Sequence, residues 1–166
     1  MSMTHYMELL ASNQPWNLLI FMAVPVILAE TVAITELYIL FTRQRGNLAG
    51  VLNRGASIAG GFYFAAVFAY LLVMAVLPLT AGAGWRGPAD VIAVSFYLLG
   101  VVPLVGLAMI DLGIIGAGRS DEDRLKMHAA LVAFFLVVAH VAMIFGMLDP
   151  SVLWKTAAPA HGMLPH

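Results

Sequence analysis

Long, uninterrupted apolar segments decide the fold of this chain, and residues 125–148 are the clearest of them: LKMHAALVAFFLVVAHVAMIFGML. A helix of this length spans about 36 Å, enough to cross the ~30 Å hydrocarbon core of a bilayer. Three similar segments precede it, at about residues 16–41, 56–79 and 91–115. The strands of a membrane barrel would alternate polar and apolar residues, and these segments do not. The sequence therefore predicts an all-α integral membrane protein with four transmembrane helices.

The composition agrees with a membrane protein and excludes several other classes. Hydrophobic residues make up 62% of the 166 residues and charged residues 10%, whereas soluble domains carry about a quarter charged residues. The net charge of −1, without a basic tract, argues against nucleic acid as a partner. The chain has no cysteine, so disulfides and thiolate metal ligands are excluded. The loops are short, and we expect an antiparallel up-down bundle that forms a single domain over residues 1–166, with the lipid bilayer around it.

Basic residues beside the spans predict the orientation. Six lie in or beside the first and third loops, and two lie in the second loop and the tail. Because loops rich in Lys and Arg stay in the cytoplasm, we expect both termini on the periplasmic or extracellular side of an inner (cytoplasmic) membrane. Trp16, Trp85 and Trp154 would then lie at the outer interface, as amphipathic rings prefer. The basic residues are Arg43, Arg45, Arg54, Arg119, Arg124 and Lys126 against Arg86 and Lys155.

Five ionisable residues lie in the spans or at their inner edge, where each charge costs about 2.5–3.5 kcal/mol and usually has a function. Counting from the inner end of each helix places Glu36, Asp111 and His128 within roughly 5–9 Å of the boundary, as an inner layer. The same count places Glu30 and His140 at roughly 18–22 Å, as an upper layer. The first and last helices of such a bundle are neighbours, so we predict the pairs Glu36–His128 and Glu30–His140.

These side chains are candidate ligands for a transition metal or haem. Imidazole with carboxylate suits Zn, Mn or non-haem Fe, and we treat all five residues as candidate metal ligands. On the fourth segment His140, Met143 and Met147 share one face, and imidazole with thioether suits Cu(I) or haem iron. For haem b the candidate ligands are His128, His140 and Met143. The arrangement superficially resembles the four-helix membrane b-type cytochromes, but both histidines lie on one segment, so haem would need Met ligation, a single His or a dimer.

Short Met- and His-containing tails flank the spans and could capture a soft metal on the outer side. The N-terminal tail contains Met3, His5 and Met7, and the C-terminal tail contains His161, Met163 and His166.

Three functions remain open at this point. The first is a metal or haem site for metal handling, transport or electron transfer. The second is a small proton-coupled transporter or permease, in which Glu30 and His140 relay protons, Pro25 and Pro103 kink the helices, and a homo-oligomer completes the pathway. The third is a non-catalytic subunit or assembly factor of a larger membrane complex, docked through small residues. No catalytic motif is recognisable, which favours a protein that is not an enzyme.

Overall fold

Four long helices and one short helix make up the computed structural model, which describes residues 3–82 and 84–151. The short helix is α1 (His5–Ala11), and the long helices are α2 (Trp16–Thr42), α3 (Leu48–Ala81), α4 (Pro88–Asp111) and α5 (Asp121–Met147). Within the described residues, α2 to α5 are the helices long and apolar enough to cross a membrane, which confirms the predicted four-helix membrane fold. The candidate tail residues Trp154, Lys155, His161, Met163 and His166 lie outside the described residues.

The long helices form an antiparallel up-down bundle. Helix α2 packs against α3, α3 packs against the second half of α4 (Val101–Asp111), and the first half of α4 (Pro88–Leu99) packs against α5. A smaller contact joins α2 to α5 and closes the ring. We call the end with the loops at residues 43–47 and 112–120 the arginine end, and the opposite end the α1 end.

A proline shapes the outer half of α2. Pro25 has no amide hydrogen, so the carbonyl of Phe21, four residues earlier, loses its helical donor. The helix widens into a π turn at Leu19–Ala23, just before the proline. The hydroxyl of Tyr97 on α4 donates a hydrogen bond to the Phe21 carbonyl at 2.6 Å. The freed carbonyl is thus satisfied by a neighbouring helix, as polar backbone in a membrane requires.

Two other helices are interrupted at similar positions. In α3 a π turn at Leu72–Val76 precedes Pro78, and α4 is interrupted at Gly100, three residues before Pro103. Such breaks are common where membrane helices bend.

Three helix ends differ from the sequence prediction by four residues or more, and one of them is the start of α5 at Asp121 instead of about residue 125. Helix α3 begins at Leu48, not at about residue 56, because the side chain of Asn47 caps it by accepting a hydrogen bond from the Gly50 amide at 3.2 Å. Helix α4 ends at Asp111, not at about residue 115, and Gly113 then adopts a φ of 77°, which a glycine tolerates without strain. Asn53, which the sequence prediction assigned to the first loop, therefore belongs to α3.

Helix α1 is fixed to the end of the bundle by polar contacts. The fully buried Asp90 accepts hydrogen bonds from the amide of His5 at 2.7 Å and pairs with His5 Nδ1 at 2.5 Å. The hydroxyl of Thr4 donates to the carbonyl of Gly146 on α5 at 2.7 Å. The guanidinium of Arg86 donates to the Met3 carbonyl at 2.6 Å. The N-terminal segment is therefore part of the fold.

Aromatic rings fill the centre of the bundle at the α1 end. The ring of Tyr97 lies 5.0 Å from that of Tyr6 and 5.2 Å from that of Phe64, measured between centroids. Burial raises the pKa of the Tyr6 hydroxyl to about 12. Below these rings a second apolar core continues towards the arginine end; its buried members are Val32, Ala56, Phe64, Leu104, Leu107 and Val132.

Candidate functional site

An imidazole lies between two carboxylates near the arginine end. Nδ1 of His128 is 2.7 Å from Oε2 of Glu36, the distance of an ion pair when the imidazole is protonated. Nε2 of the same ring is 3.2 Å from Oδ2 of Asp111. Glu36 and His128 are each only 3% exposed. The predicted Glu36–His128 pair is confirmed as a contact, and Asp111 of the predicted inner layer joins it; we call these three residues the trio.

Helical periodicity brings the trio together. Glu36 lies on the buried face of α2 with Val32 and Ile39, at spacings of three and four residues. On α5, His128 lies on the buried stripe three residues after Leu125. Asp111 is the last residue of α4, which ends at the same level. Three helices therefore each contribute one side chain to the site.

A fourth helix holds the carboxylates in place. The side-chain amide of Asn53 on α3 donates to Oε2 of Glu36 at 3.1 Å. One turn later, the hydroxyl of Ser57 makes a short hydrogen bond to the carboxylate of Asp111. Both residues are buried. Neither was predicted: Asn53 lay outside the predicted span of about residues 56–79, and Ser57 lay just inside it. Two polar residues four apart on one helical face were the available signal.

The trio lines a cavity of about 390 Å³ at the arginine end. Oε1 of Glu36, Nε of Arg124 and Nδ1 of His128 are buried and form no hydrogen bond among the described residues. Of the three, Nδ1 of His128 has the Glu36 carboxylate at ion-pair distance. Another guanidinium nitrogen of Arg124 donates to the carbonyl of Ile110 at 2.9 Å, so this side chain is held in position. The lining residues are Glu36, Ile39, Arg45, Gly50, Asn53, Arg54, Ile110, Asp111, Leu112, Gly113, Arg124 and His128.

The predicted upper pair, Glu30 with His140, does not form. Both residues are exposed on the outside of the bundle, and in residues 3–82 and 84–151 no ion pair or hydrogen bond joins them. Nδ1 of His140 instead donates to the Leu136 carbonyl of its own helix at 2.6 Å. The contact between Glu36 and His128 explains the error, because it fixes the register of α2 against α5. From that contact Glu30 lies about 9 Å along its helix and His140 about 18 Å along its own.

The predicted Met ligand lies elsewhere. Met143 is 39% exposed and lines a separate cavity of about 290 Å³ at the α1 end, together with Met7, Met22 and Met147. Along α5 it is about 22 Å from His128, so these two residues cannot ligate one centre. Of the predicted haem ligands, His128 therefore lies far along α5 from His140 and Met143. At the N-terminus, His5 of the predicted metal-capturing tail is already paired with Asp90.

The trio places one imidazole between two acids. In the described part of the chain, no three His, Asp or Glu side chains are grouped so as to hold a metal ion. In the trio each carboxylate faces a different nitrogen of the imidazole, so the ring lies between the two acids. One ion could not replace both contacts without rotating the ring. Metal binding and haem binding stay predictions.

Comparison with known proteins gives one family and no function. Neither the curated proteins nor the solved structures contain a match to this chain. One family profile matches residues 1–162, a range that includes all five helices and the trio. The chain belongs to the family of unknown function DUF6803.

Proposed function

We propose that this chain is a small proton-coupled carrier, in which the trio binds and releases the transported proton. The observation that carries the proposal is the placement of the His128 imidazole between two carboxylates, at the base of a cavity that opens at one end of the spans. Ionisable groups at such depth are costly and typically serve ion or proton pathways. Proton coupling was also one of the functions expected from the sequence, but there the relay residues were Glu30 and His140; here they are Glu36, Asp111 and His128.

Imidazole suits this role because it gains or loses a proton near neutral pH and has two nitrogen atoms that can exchange it. Here the two nitrogens face Glu36 and Asp111, so a proton taken from one acid can leave towards the other. Interacting groups of this kind titrate as a unit. The hydrogen bonds from Asn53 and Ser57 keep both carboxylates directed at the ring while the charge changes.

The two ends of the bundle differ as a carrier requires. The cavity reaches the trio from the arginine end, whereas the rings of Tyr6, Tyr97 and Phe64 fill the bundle centre at the α1 end. Opening the second end requires the outer halves of the helices to move. The π turns of α2 and α3 and the interruption of α4 lie between the trio and the α1 end, where bending would have this effect.

The charge distribution supports an arginine end in the cytoplasm of an inner-membrane protein, with both termini outside. The loops at the arginine end contain Arg43, Arg45 and Arg119, and Arg54 and Arg124 line the cavity there. Arg86 lies at the α1 end, where it donates to the Met3 carbonyl, and the exposed Trp16 begins α2 at that end. The state described by the structure would then be open to the cytoplasm.

A second copy of the chain, or a larger membrane complex, would complete the carrier. Four helices are few for alternating access. Glu30 and His140 also face outwards from the spans, where lipid would offer no polar partner to the Glu30 carboxylate or to Nε2 of His140. A protein neighbour on the surfaces of α2 and α5 would relieve that cost.

The proposal is tested in proteoliposomes that contain a trapped pH-sensitive dye. Solutes from a panel of organic acids, amino acids and sugars are added outside, and proton movement that accompanies solute entry is recorded. We expect coupled proton movement in the native protein and its loss in Glu36→Gln and His128→Gln. The matched controls are Glu30→Gln and His140→Gln, which change the same residue types on the same two helices outside the trio.

Two results would contradict the proposal: proton movement that survives both trio substitutions, or equal loss in the two controls. The purified sample also tests the alternative by elemental mass spectrometry and an absorption spectrum. A stoichiometric metal or a haem band that disappears in His128→Gln would favour metal or haem binding instead.

A further inference from the structure

Three buried polar atoms at the cavity form no hydrogen bond among the described residues. One of them, Nδ1 of His128, lies at ion-pair distance from Oε2 of Glu36, and the other two are of opposite kinds. Oε1 of Glu36 is an acceptor and Nε of Arg124 is a donor, and neither forms a hydrogen bond within residues 3–82 and 84–151. Buried polar atoms of native proteins nearly always have partners, so each exception calls for an explanation. Both side chains line the same cavity. A ligand that carries one acceptor group and one donor group would satisfy both atoms.

The charges around the cavity select an anion. Three guanidinium groups line it, those of Arg45, Arg54 and Arg124, against the carboxylates of Glu36 and Asp111. The lining is therefore cationic even when the imidazole is neutral, and more so when it is protonated. Among the described residues, neither Arg45 nor Arg54 forms an ion pair. Guanidinium groups bind carboxylates through charge-assisted hydrogen bonds, which makes an organic acid the fitting class.

The volume limits the size of that acid. A cavity of about 390 Å³ lies near the lower end of the range of small-molecule sites, about 300–1,000 Å³. We propose that this cavity binds a small hydroxycarboxylate, whose carboxylate is held by Arg124 with Arg45 and Arg54, and whose hydroxyl donates to Oε1 of Glu36. The inference rests on the proposed carrier function, for which it names the substrate class.

The hydroxyl distinguishes this class from its closest analogues. A plain carboxylic acid would satisfy Arg124 but leave the Glu36 oxygen buried and unpaired, and a site built around a polar partner rejects such analogues strongly. An amino acid could donate to Glu36 through its ammonium group, but that positive charge would make its net charge one unit less negative than that of the matching hydroxy acid and so compensate the cationic lining less. A hydroxycarboxylate supplies both the donor and the negative charge.

Binding is measured by isothermal titration calorimetry on the full chain in nanodiscs, with two matched series. The first contains lactate, propionate and alanine, and the second contains malate, succinate and aspartate, so the members of each series differ at one substituent. We expect lactate or malate to bind about tenfold or more tightly than the other members of its series. Equal binding of hydroxylated and plain acids, tighter binding of an amino acid, or no binding at all would overturn the proposal.

Substitutions then locate the site. We expect Arg124→Gln to weaken binding of the preferred acid about tenfold or more, and Glu36→Gln to reduce its preference over the plain acid. The matched control is Arg43→Gln, which removes an arginine at the same end that does not line the cavity. If Arg43→Gln weakens binding as much as Arg124→Gln does, the cationic loops attract the acid without a specific site, and the inference fails.

The calorimetry uses no proton gradient, so its outcome is separate from that of the transport assay. Specific binding without coupled proton movement would refute the carrier and leave the binding site standing. Coupled movement of a different class of solute would support the carrier and refute the hydroxycarboxylate.

Discussion

Adjacent glycines on α3 should respond in opposite directions to the same substitution. A Cβ atom at Gly61 would lie 2.5 Å from Cβ of Ala108 and 2.8 Å from the carbonyl oxygen of Leu104. Both atoms are fixed by the backbone of α4, so neither can rotate away. At Gly60 the nearest atom would be Cβ of Leu28 at 3.7 Å, which is an ordinary contact.

The magnitudes follow from two opposing effects. Overpacking costs about 1–3 kcal/mol, and replacing glycine by alanine within a helix contributes up to about 1 kcal/mol of stability. Gly61→Ala should therefore lose about 1–2 kcal/mol, whereas Gly60→Ala should gain up to about 1 kcal/mol. For a chain of this size, each kcal/mol shifts the melting temperature by about 2–4 °C.

The assay is thermal unfolding of both variants in the same mild detergent, followed by size-exclusion chromatography of the protein that remains folded. We expect Gly61→Ala to melt below the native protein and Gly60→Ala to melt at or above it. Equal shifts of the same sign would refute the close approach of α3 and α4 at Gly61.

Two further predictions concern the α1 end. Asp90→Asn removes the charged partner of His5, so we expect the amide hydrogens of α1 to exchange faster with deuterium, as measured by mass spectrometry. The control is Asp121→Asn, which changes an exposed aspartate. Unchanged exchange in Asp90→Asn would mean that the ion pair does not fix α1. Burial raises the pKa of the Tyr6 hydroxyl to about 12 in the folded protein, whereas in the unfolded chain this hydroxyl ionises near pH 10. The free energy of unfolding therefore falls as the pH rises above about 10. Between about pH 9 and about pH 11 the native protein should therefore lose about 1 kcal/mol more stability than Tyr6→Phe in thermal melts, and equal losses would contradict the assignment.

The four helices were predictable from the sequence because the hydropathy of a span depends on its own residues. The pair Glu36–His128 was also predictable, since each residue lies near the same end of neighbouring helices. The pair Glu30–His140 was not, because a count from the end of each helix accumulates error with distance. Register between two helices is set by packing, and here the inner contact determines it.

The supporting residues of the site depended on helix ends that the sequence did not reveal. Asn53 became part of the bundle because the cap at Asn47 starts α3 early. Asp111 was predicted in the inner layer, but the end of α4 at this residue, before a glycine with positive φ, was not. Both ends are decided by single capping or turn residues, which hydropathy does not detect.

Pro25 of α2 also affects the neighbouring helix α4. A residue with an amide hydrogen at position 25 would offer the Phe21 carbonyl a second donor, in competition with the Tyr97 hydroxyl. Helix α2 could then complete its own ladder of bonds and no longer depend on its neighbour. Because Pro25 has no amide hydrogen, the Phe21 carbonyl of α2 stays available to accept the hydrogen bond from Tyr97 of α4. The position of the Tyr97 ring is thereby coupled to the bend of α2.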